Sequence, residues 1–264
     1  MDELTQVVVA LGLPTLWLLL LALLIGTGEI GFRLGRWRAA AVNETERGHT
    51  STLVAGMLTL LAFSLGLSIS FAQNRYETRR DLVMNEANAI GTAWLRAGVV
   101  EGADGERMQR LLEDYTRVRL AYVTASAQDD LPAMVARTTA LQNEVWGVAR
   151  DVARRAPTPI SASLIAALND MIDLSLSQRF AFISRVPPYL VWSMLFGSLL
   201  SMGALKYNLG LAGSRHFLLS TLLVMMWTGA MILVVDFNRP RVGALRVDPS
   251  PLIWTLEGFG TPSR

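Results

Sequence analysis

Four stretches of the chain are apolar for long enough to cross a lipid bilayer, and nothing else in the sequence constrains the fold as strongly. They run from about Val7 to Gly28, Ser51 to Ala72, Pro187 to Leu205 and Phe217 to Val235. Each is close to the ~20 residues that a helix needs to cross a hydrocarbon core. Lipid offers backbone N–H and C=O groups no partner, so each stretch has to satisfy its own backbone as a helix. Hydrophobic residues make up 52% of the 264, in line with a membrane class. No basic residue precedes the first stretch and no small-residue cleavage pattern follows it. It runs into GFRLGRWR and reads as a retained span, not a signal peptide.

More than 100 residues of different character separate the second span from the third. Apolar residues recur there at helical spacing: Leu111, Tyr115, Val118 and Tyr122; Met134, Leu141, Val145, Val148 and Val152; Leu164, Leu168, Met171, Ser175 and Phe182. Turn formers cluster at residues 102–105 (GADG), 126–132 (SAQDDLP) and 156–159 (APTP). The second span has no break before Arg96, so it is expected to continue out of the membrane as one helix. The segment from Pro159 to Arg185 is expected to lead back to the third span, with Pro187 and Pro188 at its start. The expected fold is therefore all-α: a four-helix transmembrane bundle with a helical extramembrane domain inserted between the second and third spans, its long helices continuous with the spans. The expected divisions are 1–72 and 187–237 for the spans, 73–186 for the helical domain, and 238–264 for a tail with a short interfacial helix.

Composition narrows the chemistry. With no cysteine and only His49 and His216, thiolate nucleophiles, disulfides and His/Cys metal sites are excluded or left without partners. No catalytic acid–base set converges in the sequence, so neither an enzyme nor a cofactor is expected. A net charge of +2, with both signs interspersed, gives no basic tract for nucleic acid. One apparent exception is GTGEIG at 26–31, a literal match to the dinucleotide fingerprint G-x-G-x-x-G, with Glu44 and Glu46 near where its ribose acid would stand. That fingerprint needs a strand, a tight turn and a helix N-terminus, whereas LWLLLLALLI before these glycines continues a span. Gly28, Gly31 and Gly35 instead read as a small-residue ridge that lets another helix approach closely, with Glu29 paired to Arg33 one turn on.

Three sets of residues are candidate sites. On the second span, Thr52, Gly56, Thr59, Phe63, Gly66 and Ser70 fall on one narrow stripe, either a close-packing seam or the lining of a narrow conduction path in an oligomer. Beyond it, Glu86 stands in the middle of a face made by Leu82, Val83, Ala89, Ile90 and Ala93, where an unpaired carboxylate would be costly. Its expected partner is Arg179, with Arg119 second, and Arg79 and Asn88 complete the candidate polar network. Arg79 and Arg179 could alternatively form a cationic mouth. At the end of the last span, Asp236 and Arg239 form a candidate membrane-end pair.

EANAIGTAWLRA at 86–97, preceded by RYETRRDLV and followed by YTRVRLAY, together with DFNRPRVGALRV at 236–247, resembles the bestrophin-like family of bacterial four-span membrane proteins. Bestrophins proper are pentameric anion channels, so the resemblance implies a multi-pass protein of the bacterial inner membrane. It would be a homo-oligomer in contact with the lipid bilayer, passing small inorganic ions. The alternative is a non-conducting scaffold or envelope sensor whose helical domain binds a protein partner. Arg33, Arg36, Arg38 and Arg47 after the first span place that loop in the cytoplasm and the helical domain outside; bestrophin topology would place the domain in the cytoplasm.

Overall fold

The computed structural model describes residues 12–126, 129–241 and 243–260, so the start of the first expected span, Val7 to Leu11, lies outside the described residues. Among these residues there are eight α-helices: α1 Leu13–Arg38, α2 Glu44–Gly98, α3 Ala103–Thr124, α4 Leu131–Arg155, α5 Pro159–Ile183, α6 Pro188–Ala212, α7 Phe217–Phe237 and α8 Ser250–Phe259. Described residues contain no strand. Four stretches of this helix are long and apolar enough to cross a membrane, within α1, α2, α5–α6 and α7.

Local chemistry explains where the helices begin and end. At the start of α2, Asn43 Oδ1 accepts from Glu46 N–H at 2.8 Å and Glu46 Oε2 accepts from Asn43 N–H at 3.4 Å, a reciprocal cap. No proline occurs between Pro14 and Pro132, and α2 runs for 55 residues without a break. At ~1.5 Å per residue it is roughly 80 Å long, more than twice what a bilayer core requires. Asp130 caps α4 through Ala133 N–H, and Thr158 with Ser161 forms a capping box on α5. The continuity expected of the spans holds for α2. Between α5 and α6 the helix is interrupted at residues 184–187, because a proline disfavours helical geometry in the residue before it and Pro187 and Pro188 stand in tandem.

The chain divides into two compact units. One holds the chain to Asn74 and Arg185–Arg239; the other holds Arg75–Ser184 and the chain from Pro240. In the first unit, α1 and α6 run parallel with glycine against backbone. A Cβ on Gly31 would overlap the carbonyl oxygen of Gly203, one on Gly35 that of Tyr207, and one on Gly210 that of Phe32. GTGEIG is thus the middle of a helix, and its glycines serve approach, as the small-residue reading expects. The buried side of α2 meets α6 and α7 through a cluster of Leu65, Ala72, Met194, Met231 and Val234. Within that layer Trp227 Nε1 donates to Ser198 Oγ at 2.8 Å.

The second unit is built around a core that includes Val83, Ile90, Met108, Leu112, Leu141, Val145, Leu164 and Met171, drawn from four helices. The tail read from sequence as separate and interfacial belongs to this unit. Leu252 of α8 is fully buried and Phe259 stacks on Trp94 with centroids 4.9 Å apart. Short as it is, α8 has an apolar side, and the core offers that side a partner.

Gly31→Val and Gly35→Val should each cost about 3 kcal/mol or more, because backbone facing backbone cannot give way. Gly26→Val, with nothing within 4 Å of its Cβ position, should be tolerated. Thermal unfolding of the three purified variants in detergent measures the difference.

Candidate functional site

Helix α2 presents two opposite sides to its surroundings in the first unit. Val54, Leu61, Leu65, Ser68 and Ala72 are buried. Thr52, Gly56, Thr59, Phe63, Gly66 and Ser70 are all exposed, Phe63 by 64%. At ~100° per residue the two sets are centred about 180° apart. The seam therefore lies on the side of α2 turned away from the chain's own helices. The glycines mark the contrast: a Cβ on Gly56 or Gly66 would meet nothing within 4 Å, whereas Gly31 and Gly35 abut backbone. The hydroxyls of Thr52 and Thr59 donate back to Gly48 O at 3.1 Å and Ala55 O at 2.9 Å, leaving their oxygens as acceptors on the outer surface. On α6, Ser193, Gly197 and Ser201 recur at four-residue spacing but do not share one environment: Ser201 is buried, Gly197 lies against Leu61, and Ser193 is exposed.

In the second unit Glu86 is fully buried, as its place on the α2 face requires. Its partner is Arg119, 2% exposed, whose Nε donates to Oε1 at 2.6 Å and Nη2 to Oε2 at 3.1 Å. Two parallel N–H···O bonds are the geometry that best repays the cost of desolvating two charges. Tyr115 Oη donates to Glu86 Oε1 at 3.1 Å, and Arg119 Nη2 also donates to Gln178 Oε1. Gln142 Nε2 bridges Tyr115 Oη, at 3.4 Å, and Ser175 Oγ, at 2.8 Å. Burial raises the Tyr115 phenol's pKa, with Glu86 adding to the effect, so it remains a proton donor. Burial alone would lower that of Arg119, but the charge of Glu86 and its hydrogen bonds outweigh it and hold the guanidinium charged. Arg119 also lies over the Tyr122 ring at 4.9 Å, and Arg241 covers the same ring at 4.6 Å and Phe182 at 4.7 Å.

Three expectations about this network are corrected. Arg179 is exposed and does not pair with Glu86. The buried face of α5 is Leu164, Leu168, Met171, Ser175, Gln178 and Phe182. At ~100° per residue Arg179 stands about 60° from the centre of that face, so the expectation that centres the face on Arg179, between Leu168, Ile172 and Phe182, brings Arg179 in and leaves Gln178 out. Asn88 is exposed and stands outside the network, two residues round the helix from Glu86. Arg79 forms no cationic mouth: it is fully buried and donates through Nε to Ala181 O at 2.9 Å and through Nη2 to Ser184 O at 2.7 Å. These acceptors are the orphan carbonyls at the end of α5, so Arg79 caps that helix. Sequence reasoning did not single out Tyr115, Gln142, Gln178 or Arg241 for this cluster; Tyr115 was legible only as a member of an apolar face.

At the end of α7, Asp236 and Arg239 are both buried, and Arg239 N–H donates to Asp236 O at 2.9 Å. Burial lowers the pKa of Arg239, against the opposing charge of Asp236. Beside them Asn238 Oδ1 accepts from Val186 N–H at 2.8 Å. Among the described residues no group of three or more His, Cys, Asp or Glu side chains could hold a metal ion.

Removing one member of the Glu86–Arg119 pair strands the other charge in the core, which should cost ~3–5 kcal/mol in Glu86→Leu or Arg119→Met. The double variant Glu86→Leu/Arg119→Met should lose markedly less than the sum, and Arg179→Met almost nothing. Unfolding free energies of these variants and of the unsubstituted protein give the coupling.

Comparison with known proteins places this arrangement. The Bestrophin-like domain family matches residues 22–252. No curated protein matches the sequence. Among solved structures, a bacterial bestrophin homologue from Klebsiella pneumoniae carrying a single substitution is similar with TM-score 0.70 at 14% identity, covering 91% of this chain and 96% of the other. The Klebsiella homologue solved by zinc phasing gives TM-score 0.67 at 14% identity, covering 92% and 95%. A structure described only as a membrane protein gives TM-score 0.71 at 14% identity, over 92% and 96%. At this identity the likeness shows a shared fold, and the family match across most of the chain shows the rest: the chain belongs to the Bestrophin-like family.

Proposed function

We propose that the protein is one subunit of an oligomeric ion channel in the bacterial inner membrane, with the Thr52–Ser70 seam of α2 facing the conduction axis. The observation that carries this reading is the exposure of the seam on the side of α2 directly away from its own bundle. Lipid gives no reason to align glycine and hydroxylic residues, whereas a symmetric ring of subunits would turn them toward a shared axis. Beside the seam, Leu53, Leu60 and Leu67 recur every seventh residue and are 70%, 67% and 45% exposed. A heptad of leucines is what a neighbouring helix packs against, so one flank of α2 supplies the contact between subunits while the seam stays open. Phe63, the one bulky side chain on the stripe, would form the constriction. The Bestrophin-like family and fold support the same reading, since bestrophins proper are oligomeric anion channels.

Purified protein in liposomes should carry an ion flux. Phe63→Ala should raise that flux severalfold and Ser70→Leu should reduce it. Liposomes silent across a range of pH, voltage and salt would overturn the reading. Co-purification of one defined protein partner with silent liposomes would favour a non-conducting scaffold.

A further inference from the structure

At one end of the four-span unit the last turns of α1, the end of α6 and the α6–α7 connection bring charge to the edge of an apolar recess. A cavity of about 130 Å³ between α1, α6 and α7 is lined by Leu24, Ile25, Leu205, Phe217, Thr221 and Val224, with Glu29, Lys206 and Arg215 at its polar end. Its size is close to the ~150 Å³ of an apolar cavity known to hold benzene, enough for a short length of hydrocarbon. Next to it a second, open recess is lined by Arg33, Arg36 and Arg215, and the two share Phe32 and Arg215. Four cations and one carboxylate thus line the two recesses.

Several contacts hold this cluster in place. Arg33 Nε donates to Glu29 Oε1 at 2.9 Å, and Arg215 Nη1 to Glu29 Oε2 at 3.4 Å. The Arg215 guanidinium lies 4.5 Å above the centroid of the Phe32 ring. Lys206 Nζ donates to Ser220 Oγ at 2.5 Å. Gly213, in left-handed geometry at φ 74°, leaves room for Arg36: a Cβ there would sit 3.2 Å from Arg36 Nη1. The level in the membrane follows from α1, whose apolar run ends at Gly28 and whose charges begin at Glu29, marking the boundary between hydrocarbon and headgroups.

We infer that this recess binds one anionic glycerophospholipid, with its phosphate among Arg33, Arg36 and Arg215 and the first part of an acyl chain in the cavity beside Leu24 and Val224. An excess of guanidinium groups suits a phosphate, and the adjoining apolar cavity sets a lipid phosphate apart from a free one. The site lies away from the α2 seam and does not rest on conduction.

The test is native mass spectrometry of the detergent-purified protein titrated with dioleoyl phosphatidylglycerol, dioleoyl phosphatidylcholine or inorganic phosphate. One phosphatidylglycerol per subunit should remain bound through detergent washing, at least about tenfold more tightly than phosphatidylcholine, a gap of ~1.4 kcal/mol. Arg33→Gln/Arg36→Gln/Arg215→Gln should abolish the preference for the anionic lipid. Thr221→Phe, which fills the cavity without touching the charges, should weaken phosphatidylglycerol alone. Equal retention of both lipids, an unchanged preference in the triple variant, or displacement of the lipid by millimolar inorganic phosphate would each overturn the assignment. All the variants are at surface or cavity-lining positions, and an unchanged unfolding midpoint verifies that they fold.

Discussion

A helix that crosses lipid can satisfy its backbone alone, so everything specific about it lies in how its sides are divided. The division on α2 organises the first unit. Val54, Leu61, Leu65, Ser68 and Ala72 hold it to its own bundle, and the opposite side carries Gly56, Gly66 and four other residues that are all exposed. The same chain shows what glycines do when they serve packing, at Gly31, Gly35 and Gly210, where backbone abuts backbone. The seam on α2 is a different use of small residues, and it requires something other than this chain's own helices to explain it.

The second unit solves a separate problem, fixing a long helix among its neighbours. Glu86 sits where an apolar residue would be the simpler choice, yet it is met by a bidentate arginine, a tyrosine and, through that arginine, a glutamine. Such a pair adds little net stability over hydrophobic packing but penalises any other register, because a one-residue slip would leave a charge unpaired in the core. Arg79 acts in the same sense at the end of α5, where its guanidinium binds carbonyls that the helix cannot pair. Both residues therefore tie α2 to particular positions on α3 and α5.

The four spans, the breaks between helices, the close-approach glycines of α1 and the burial of Glu86 were legible in sequence, because each depends on periodicity or on chemistry within one segment. Partner choice was not. Arg119 and Arg179 both lie on helices with apolar stripes, and a 60° error in placing the α5 face sufficed to rank them wrongly. Nor could sequence show that Arg33 and Arg36 on α1 meet Arg215, some 180 residues later, around one recess, since that meeting depends on the parallel pairing of α1 with α6. The role of Pro187 and Pro188 was legible as the start of a span, whereas the length of the interruption at 184–187 depends on tertiary packing.

The most direct test of the outward seam is chemical access to it in a closed membrane. The chain has no cysteine, so single-cysteine variants are free of background. Thr59→Cys and Phe63→Cys, in the middle of the span, should react with a charged, membrane-impermeant thiol reagent in sealed vesicles, and Leu61→Cys, on the buried side, should not. Protection of Thr59→Cys and Phe63→Cys to the same degree as Leu61→Cys would mean that the seam faces lipid or protein and lines no aqueous path.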